Sequence, residues 1–386
     1  MRKRSRIRTI TGILLLCAAL FFCVRERERI MPVFSSLVHK AGVYSALAVL
    51  PEAGADRLKT GIEETILHAG PPPDSTPVSP AASSDASSKT DAGSAPSSSA
   101  AASSALSSAP SVASSYVPPP AGAKTGKVLT KFFSKSSANL TYQNIYVSNK
   151  TSGGVDLKKE LGTKPNVKIQ KNGKPMVLIL HTHATEAFLP YDYGYYVQGT
   201  ATRSTDSKKN ICAVGDAIAR QLSAAQIVTL HDKTMHDYPS YTGGYERSAA
   251  TIKSYLKKYP TIQVVLDIHR DAVTYDNGDM VKPTAGIGGK KAAQIMICAG
   301  RQDGKVTQYP NWRQNLRFAL RLQQSCETDY PGLARPLYFV SKRYNEYLLP
   351  GSLLIEMGSE GNTLEEAVYA GELLGKSLAK LLGTLK

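Results

Sequence analysis

The chain has 386 residues, which is long enough for two domains, but a long Ser-, Ala- and Pro-rich stretch indicates that only one domain of about 200 residues packs. Its formal net charge of +16 would suit nucleic-acid phosphates, yet no basic run beyond the N-terminus is interleaved with aromatic residues, so we expect no nucleic-acid partner. Positive charge spread this thinly suits an anionic cell-surface polymer equally well. The five cysteines lack zinc-ribbon and CxxC spacing, and their odd number argues against a disulfide framework.

The N-terminus has the pattern of a membrane anchor. Five basic residues precede an uncharged segment at residues 9–24, and alternating Arg and Glu follow it. At about 1.5 Å per residue this segment is short for a bilayer core, but the flanking arginines can snorkel to the headgroups. Because no small-residue cleavage site follows, we predict an uncleaved transmembrane helix within residues 1–30, with its N-terminus in the cytoplasm and the rest of the chain outside.

Three segments of different composition follow the anchor. Residues 31–70 carry apolar residues at helical spacing and predict a short stalk, with a membrane-lying helix as the alternative. Residues 71–123 are mostly Pro, Ser and Ala, cannot bury enough apolar surface to fold, and predict a disordered linker. Residues 124–174 show short apolar alternations and are interpreted as a β or loop segment that leads into a catalytic domain at residues 175–386.

In that last segment strand patterns alternate with amphipathic helix patterns. The predicted strands are 176–180, 226–230, 263–268, 293–299, 337–341 and 352–357, and the predicted helices are about 208–224, 244–258, 311–326 and 363–383. Such alternation favours an α/β fold, a mainly parallel sheet with helices on both faces. A TIM-barrel amidohydrolase would need roughly eight strand-helix units, and the regular portion is too short for that.

Ionisable residues follow three of the apolar runs, where strands of one sheet would end. The run at 176–180 ends in His181 and His183, the run at 263–268 in His269, and Glu356 lies in the run at 352–357. Because the carboxyl ends of parallel strands gather at one rim, these residues can converge without being close in sequence. That rim is the candidate active site.

The residue types at this rim suit zinc. Zinc commonly takes imidazole nitrogens plus a carboxylate from different elements and keeps one position open for water, which it activates to attack a carbonyl. The candidate Zn²⁺ ligands are His181, His183, Glu186 and His269. By contrast, His231 and His236 lie in a polar loop and are expected to be hydrogen-bonded structural residues.

Glu356 has apolar neighbours in LLIEMG, where an unpaired carboxylate would be expensive to bury. Glu356 is therefore either paired structurally or a general base with an adjusted pKa; we favour the general base, with Glu360 as the reserve candidate. Three residues beside His269 are expected to orient the histidine and one another, with a surface ion pair as the alternative: Asp267, Arg270 and Asp271. Neither a phosphate-binding glycine loop nor a GxSxG elbow follows a strand, so nucleotide binding and a serine nucleophile have no support.

The order of these motifs resembles one protein family. HTHATEAFLP at 181–190, DYPSY at 237–241 with YERS at 245–248, VVLDIHRDA at 264–272 and LLIEMGSEGNT at 353–363 are together similar to the stage II sporulation protein P family. The anchor followed by a low-complexity linker is similar too. The resemblance covers roughly residues 175–386.

The resemblance implies a zinc-dependent N-acetylmuramoyl-L-alanine amidase fold that acts on peptidoglycan between mother cell and forespore during engulfment. It also implies cleavage of peptide cross-links and work with stage II sporulation proteins D and M. Carried over, His269 is a zinc ligand and Glu356 the catalytic glutamate, and either His181 or His183 is the first ligand. The chain has Lys209 and Asn210 where the superfamily places a ligand glutamate, so Glu186 is the substitute. A non-catalytic wall-binding or scaffold protein is the alternative.

Overall fold

The structure is a computed structural model that describes residues 117–385. Its helices are α1 (Leu157–Gly162), α2 (Ile211–Ala224), α3 (Gly244–Lys258), α4 (Trp312–Asp329) and α5 (Leu364–Thr384). Its strands are β1 (Thr125–Lys131), β2 (Leu140–Tyr142), β3 (Ile145–Asn149), β4 (Val177–Leu180), β5 (Tyr195–Val197), β6 (Thr229–His231), β7 (Val264–Asp271), β8 (Met280–Ile287), β9 (Lys290–Ala293), β10 (Ile295–Gly300), β11 (Leu337–Val340) and β12 (Ser352–Ser359).

The predicted transmembrane helix within residues 1–30, the stalk at 31–70 and all but the last seven residues of the linker at 71–123 lie outside the described residues. Within residues 117–385, no helix is both long enough and apolar enough to cross a membrane.

The main sheet has eight strands in the order β2-β3-β11-β10-β12-β7-β4-β6. Every residue of its central strands β12, β7 and β4 is buried. These strands read as near-continuous apolar runs because both of their faces are covered. Neighbouring β4, β7 and β12 are parallel, so their carboxyl ends lie along one rim.

The prediction of a mainly parallel sheet is wrong, because residues 117–385 form two sheets and both are mixed. In the main sheet β10 runs antiparallel to β12, and β2 antiparallel to β3. A second sheet, in the order β5-β1-β8-β9, has antiparallel pairs at both ends and a parallel pair in its middle. A parallel connection needs a crossover of a dozen or more residues, usually a helix, whereas β7 and β10 are joined by the β8–β9 hairpin.

The helices lie on the two faces of the main sheet in unequal number. Helices α2, α4 and α5 bury their apolar stripes against one face, where Val177, Leu266 and Ile355 belong to the same core. On the other face α3 places Ile252 against Leu178 and other apolar residues of β4 and β7. The active-site rim is therefore fixed between a thick helical layer and the single helix α3.

Helix α5 begins with a capping box and packs closely on α2. The Thr363 side chain accepts a hydrogen bond from the Glu366 backbone N–H, and the Glu366 carboxylate accepts one from the Thr363 N–H. A Cβ at Gly375 would lie only 2.8 Å from Cβ of Gln221, so glycine permits this close approach of the two helices. The contact joins α2 to α5 within the helical layer on this face of the sheet.

Candidate active site

Three strands deliver the candidate residues to one place. Glu356 of β12 pairs in register with His269 of β7, while β4 on the other side of β7 leads into His183. The imidazole rings of His183 and His269 lie 5.2 Å apart between centroids and are nearly perpendicular. An Oε2 atom of Glu186 lies 3.7 Å from Nδ1 of His269. The structure therefore brings together His183, Glu186, His269 and Glu356, which we call the rim cluster.

His181 lies outside this cluster, with both ring nitrogens engaged. Its Nδ1 is 2.8 Å from the carbonyl oxygen of Ile268, and its Nε2 is 2.8 Å from Nε2 of His231. Because a carbonyl can only accept, Nδ1 of His181 donates and Nε2 accepts from His231. Burial, reinforced by His231, lowers the pKa of His181 to about 3, so the ring stays neutral. Of the two alternatives for the first ligand, only His183 has nitrogens without a hydrogen-bond partner.

His231, which ends strand β6 and does not lie in a loop, and His236 are both hydrogen-bonded, as expected. His231 places Nδ1 2.9 Å from a carboxylate oxygen of Asp216. Nδ1 of His236 donates to the His181 carbonyl oxygen at 2.9 Å, and its Nε2 lies 2.8 Å from the Thr251 hydroxyl. Gly215 in α2 makes room for the imidazole pair, because a Cβ there would lie 2.5 Å from Nε2 of His231.

Unpaired buried polar atoms are concentrated in the rim cluster. Among the described residues seven buried side-chain polar atoms lack a hydrogen-bond partner, and four of them are both nitrogens of His183, Nε2 of His269 and Oε2 of Glu356. The His269 Nε2 lies 2.8 Å from Asp267 Oδ1 but without hydrogen-bond alignment. Because buried polar groups are nearly always paired, such a concentration indicates a place where a ligand binds.

The donor set fits zinc in kind, since two imidazoles and one carboxylate come from different elements. In the described part of the chain, however, no three side chains of His, Cys, Asp or Glu are arranged so that they could hold a metal ion. The His269 ring explains part of this, because its Nε2 faces Asp267 and its Nδ1 faces Glu186. The donors are thus adjacent without forming a closed coordination shell.

Burial and neighbouring charges shift the pKa values of the cluster in opposite directions. Burial raises the pKa of Glu356 to about 8, and the carboxylates of Asp271 and Glu186 add to the rise. Burial also raises the pKa of Glu186 and lowers that of His183 well below its ordinary value. For His269 burial is outweighed by Asp267 and Glu186, which raise the pKa to about 10. His269 is thus the most basic group of the cluster, and a metal bound there would have to displace its proton.

Asp267, Arg270 and Asp271 surround the cluster and hold its parts. Asp267 accepts from the backbone N–H and the hydroxyl of Thr182, which ties β7 to the end of β4. The backbone N–H of Arg270 donates to Glu186 Oε2, and its guanidinium donates to the carbonyl of Ala187. Asp271 pairs with Arg335 at 2.9 Å.

Glu360, the reserve candidate for the general base, is hydrogen-bonded to the segment that follows β7. Its carboxylate accepts from the backbone N–H of Val273 and from the hydroxyl of Thr274, beyond the end of β7. It therefore fixes the connection that leads to β8.

Three residues near the cluster were not identified from the sequence. The ring of Tyr241 stacks on His183 at 4.3 Å, and Tyr245 meets the same imidazole edge-on at 5.6 Å. Asp237 accepts from the Thr185 hydroxyl and lies 4.0 Å from Nδ1 of His183. The sequence signal for them is the pair of motifs within 237–248. These motifs follow no long apolar run, so no chemical role was predicted for them.

Comparisons with known proteins agree with these motifs. The model of the family described as stage II sporulation protein P matches residues 121–379. The stage II sporulation protein P of Bacillus subtilis (strain 168) is 30% identical over 206 residues, which span 50% of this chain and 47% of that protein. The match thus covers about half the length of that relative.

Solved structures of amidases share a weaker likeness. An N-acetylmuramoyl-L-alanine amidase from Clostridium difficile 630 is 13% identical with a TM-score of 0.31, covering 55% of this chain and 97% of that one. The CwlD amidase of Clostridioides difficile, solved in complex with the GerS lipoprotein, is 9% identical with a TM-score of 0.35, covering 54% and 98%. These TM-scores are too low to support an argument. The family model, by contrast, covers well over half of the sequence, and the chain belongs to the stage II sporulation protein P family.

Proposed function

We propose that the chain is a zinc-dependent peptidoglycan hydrolase of sporulation that cleaves the amide between N-acetylmuramic acid and the first L-alanine. The observation that carries the proposal is the concentration of unpaired, buried imidazole nitrogens and a carboxylate oxygen in the rim cluster. Membership of the stage II sporulation protein P family and likeness to the Bacillus subtilis protein of that name support the cellular setting.

Glu356 is the proton carrier in this proposal. Its pKa of about 8, raised by burial, allows the carboxyl group to exchange a proton near neutral pH. Its Oε2 has no hydrogen-bond partner and is available to a water molecule. We assign to Glu356 the transfer of a proton from the attacking water to the leaving amine nitrogen.

His183, Glu186 and His269 would hold the metal. When bound, Zn²⁺ supplies polarisation of the amide carbonyl and lowers the pKa of a coordinated water. Asp267 and Arg270 position two of the ligands, since Asp267 lies beside His269 and the Arg270 N–H donates to Glu186.

Three finer points belong to the same proposal. We propose that the enzyme also cuts peptide cross-links, that it works with stage II sporulation proteins D and M, and that it acts in engulfment. We further propose that the chain is anchored at the cell membrane of the septum between mother cell and forespore, with its hydrolase domain outside the cytoplasm. The charge pattern of residues 1–30 supports the anchoring and the orientation.

A second candidate is a non-catalytic wall-binding or scaffold protein that retains the fold without metal. The absence of a ready-made metal grouping among residues 117–385 favours it. The two candidates differ in turnover, which can be measured directly.

The test is digestion of purified sacculi by the full-length protein, with products identified by mass. We expect released peptides that begin with a free L-alanine amine, no release by Glu356→Gln, and retained zinc in that variant. Sacculi left intact by zinc-loaded wild-type protein would reject the hydrolase and favour the scaffold.

A further inference from the structure

A groove of about 750 Å³ lies beside the rim cluster, over β11 and the loops that follow β10 and β11. It occupies the face of the main sheet that carries α3, beyond the part that α3 covers. Here Met296, Cys298 and Leu354 pack with Val340 and Tyr344 from β11 and the loop after it. The groove is therefore a built part of the fold with an apolar floor.

The walls of the groove are cationic and aromatic. Four basic side chains line it, Lys150, Lys305, Lys342 and Arg343, against the single carboxylate of Glu246. Lys150 and Lys305 come from separate loops and are exposed. Several basic groups from different segments around one concavity attract an anionic ligand far more than the same charges dispersed on a surface.

Tyr245 lies between the groove and the rim cluster and contacts both. This tyrosine lines the groove and also meets the His183 ring edge-on at 5.6 Å. Asn345 fixes the tyrosine from below, because its amide donates to the Tyr245 carbonyl and to the Ser248 hydroxyl. The groove is thus separated from the cluster by one side chain, within reach of an extended ligand that is bound at the cluster.

One buried polar atom of a groove residue has no hydrogen-bond partner within the described residues. The hydroxyl of Tyr344 is buried and lacks a hydrogen bond, although Tyr344 lines the groove. Burial raises the pKa of this phenol well above its ordinary value, so the hydroxyl keeps its proton and can donate it to an oxygen acceptor.

We propose that this groove binds the carboxylate-bearing peptide of the substrate. The peptide side of the scissile amide would then lie over β11. The inference rests on the proposed function. In peptidoglycan the free carboxylates are on the stem peptide, whereas the sugars are uncharged once the lactyl group is in amide linkage. At about 3.3–3.6 Å per extended residue, an acidic residue two to four positions from the cleaved bond reaches well into a neighbouring groove.

The test compares two soluble muropeptides that differ only in their carboxylates, one with free acids and one with carboxamides. For the full-length wild-type protein we expect KM to be about tenfold lower for the acidic substrate at low salt, with kcat alike and the preference shrinking as salt is added. The variant Lys150→Gln/Lys305→Gln should raise KM about tenfold for the acidic substrate only. The matched control, Lys158→Gln/Lys376→Gln, removes two exposed lysines on the opposite side of the sheet and should leave KM unchanged.

Equal KM values for the two substrates, or equal effects of both double variants, would overturn the inference while leaving the hydrolase intact. If wild-type protein cleaved neither substrate, the proposed function would fail. Calorimetry with the acidic muropeptide would then show whether the groove binds the peptide. Binding lost in Lys150→Gln/Lys305→Gln would support it, and unchanged binding would overturn it. Competition by tripolyphosphate as strong as by the acidic peptide would assign the groove to a phosphate polymer instead.

Discussion

Lys282 provides the sharpest test of how the structure is held together. It lies on β8 with a side chain only 1% exposed, and its ammonium contacts Glu366 at 2.8 Å and Asp192 at 2.7 Å. Glu366 is nearly as buried and belongs to the capping box of α5. Replacing Lys282 by Met roughly keeps the length of the side chain but leaves the Glu366 carboxylate buried without its counter-charge.

The expected loss is large because removing one member of a buried pair strands the other. Such changes cost about 3–5 kcal/mol in the free energy of unfolding. Lys291 offers a matched control, since it contacts the same Asp192 carboxylate at 2.8 Å but is 58% exposed. Lys291→Met should cost less than about 1 kcal/mol.

Urea denaturation followed by circular dichroism measures these differences. The double variant Lys282→Met/Glu366→Gln removes both charges and retains a side-chain oxygen for the capping box, so it should recover most of the loss of Lys282→Met. A loss below about 1 kcal/mol for Lys282→Met, or a double variant no more stable than the single one, would refute the reasoning.

Three further predictions concern the buried histidines and Glu346. Gly215→Ala should cost about 1–3 kcal/mol of unfolding free energy, because its Cβ would lie 2.5 Å from His231 Nε2, and it should retain zinc; zinc lost with the fold intact would contradict this. Elemental analysis should find zinc retained in His181→Asn and lost in His183→Asn. Zinc lost in His181→Asn and retained in His183→Asn would instead make His181 the ligand. Burial raises the pKa of Glu346 from 4.5 to about 8, so the native state holds a proton that the unfolded chain releases, and the unfolding free energy should fall as pH rises from 4.5 to 8. Glu346→Gln should remove that part of the slope, and an unchanged slope would contradict the burial argument.

Elements with strong local patterns could be predicted from the sequence. Helix α3 was predicted over 244–258 and is found at Gly244–Lys258, because its apolar stripe has the helical period. The three apolar runs that end at the rim are strands β4, β7 and β12 of one sheet, since only burial on both faces suits such runs.

Features that depend on remote partners could not be predicted. Strands β8 and β9 were missed because their lysines and glycines resemble a loop, and Lys282 is buried only because Glu366 and Asp192 meet it from distant segments. The direction of β10 likewise follows from the β8–β9 hairpin. In the site, HxH spacing could not separate His181 from His183, because the difference comes from His231 on a neighbouring strand.

X-ray absorption spectroscopy at the zinc edge of the purified, zinc-loaded protein tests the central claim most directly. If the rim cluster holds the metal, we expect one zinc per chain, coordinated by two imidazoles and oxygen donors. In His269→Ala the number of coordinating imidazoles should fall to one. A protein that binds no stoichiometric zinc, or one whose zinc spectrum is unchanged by His269→Ala, would contradict the account.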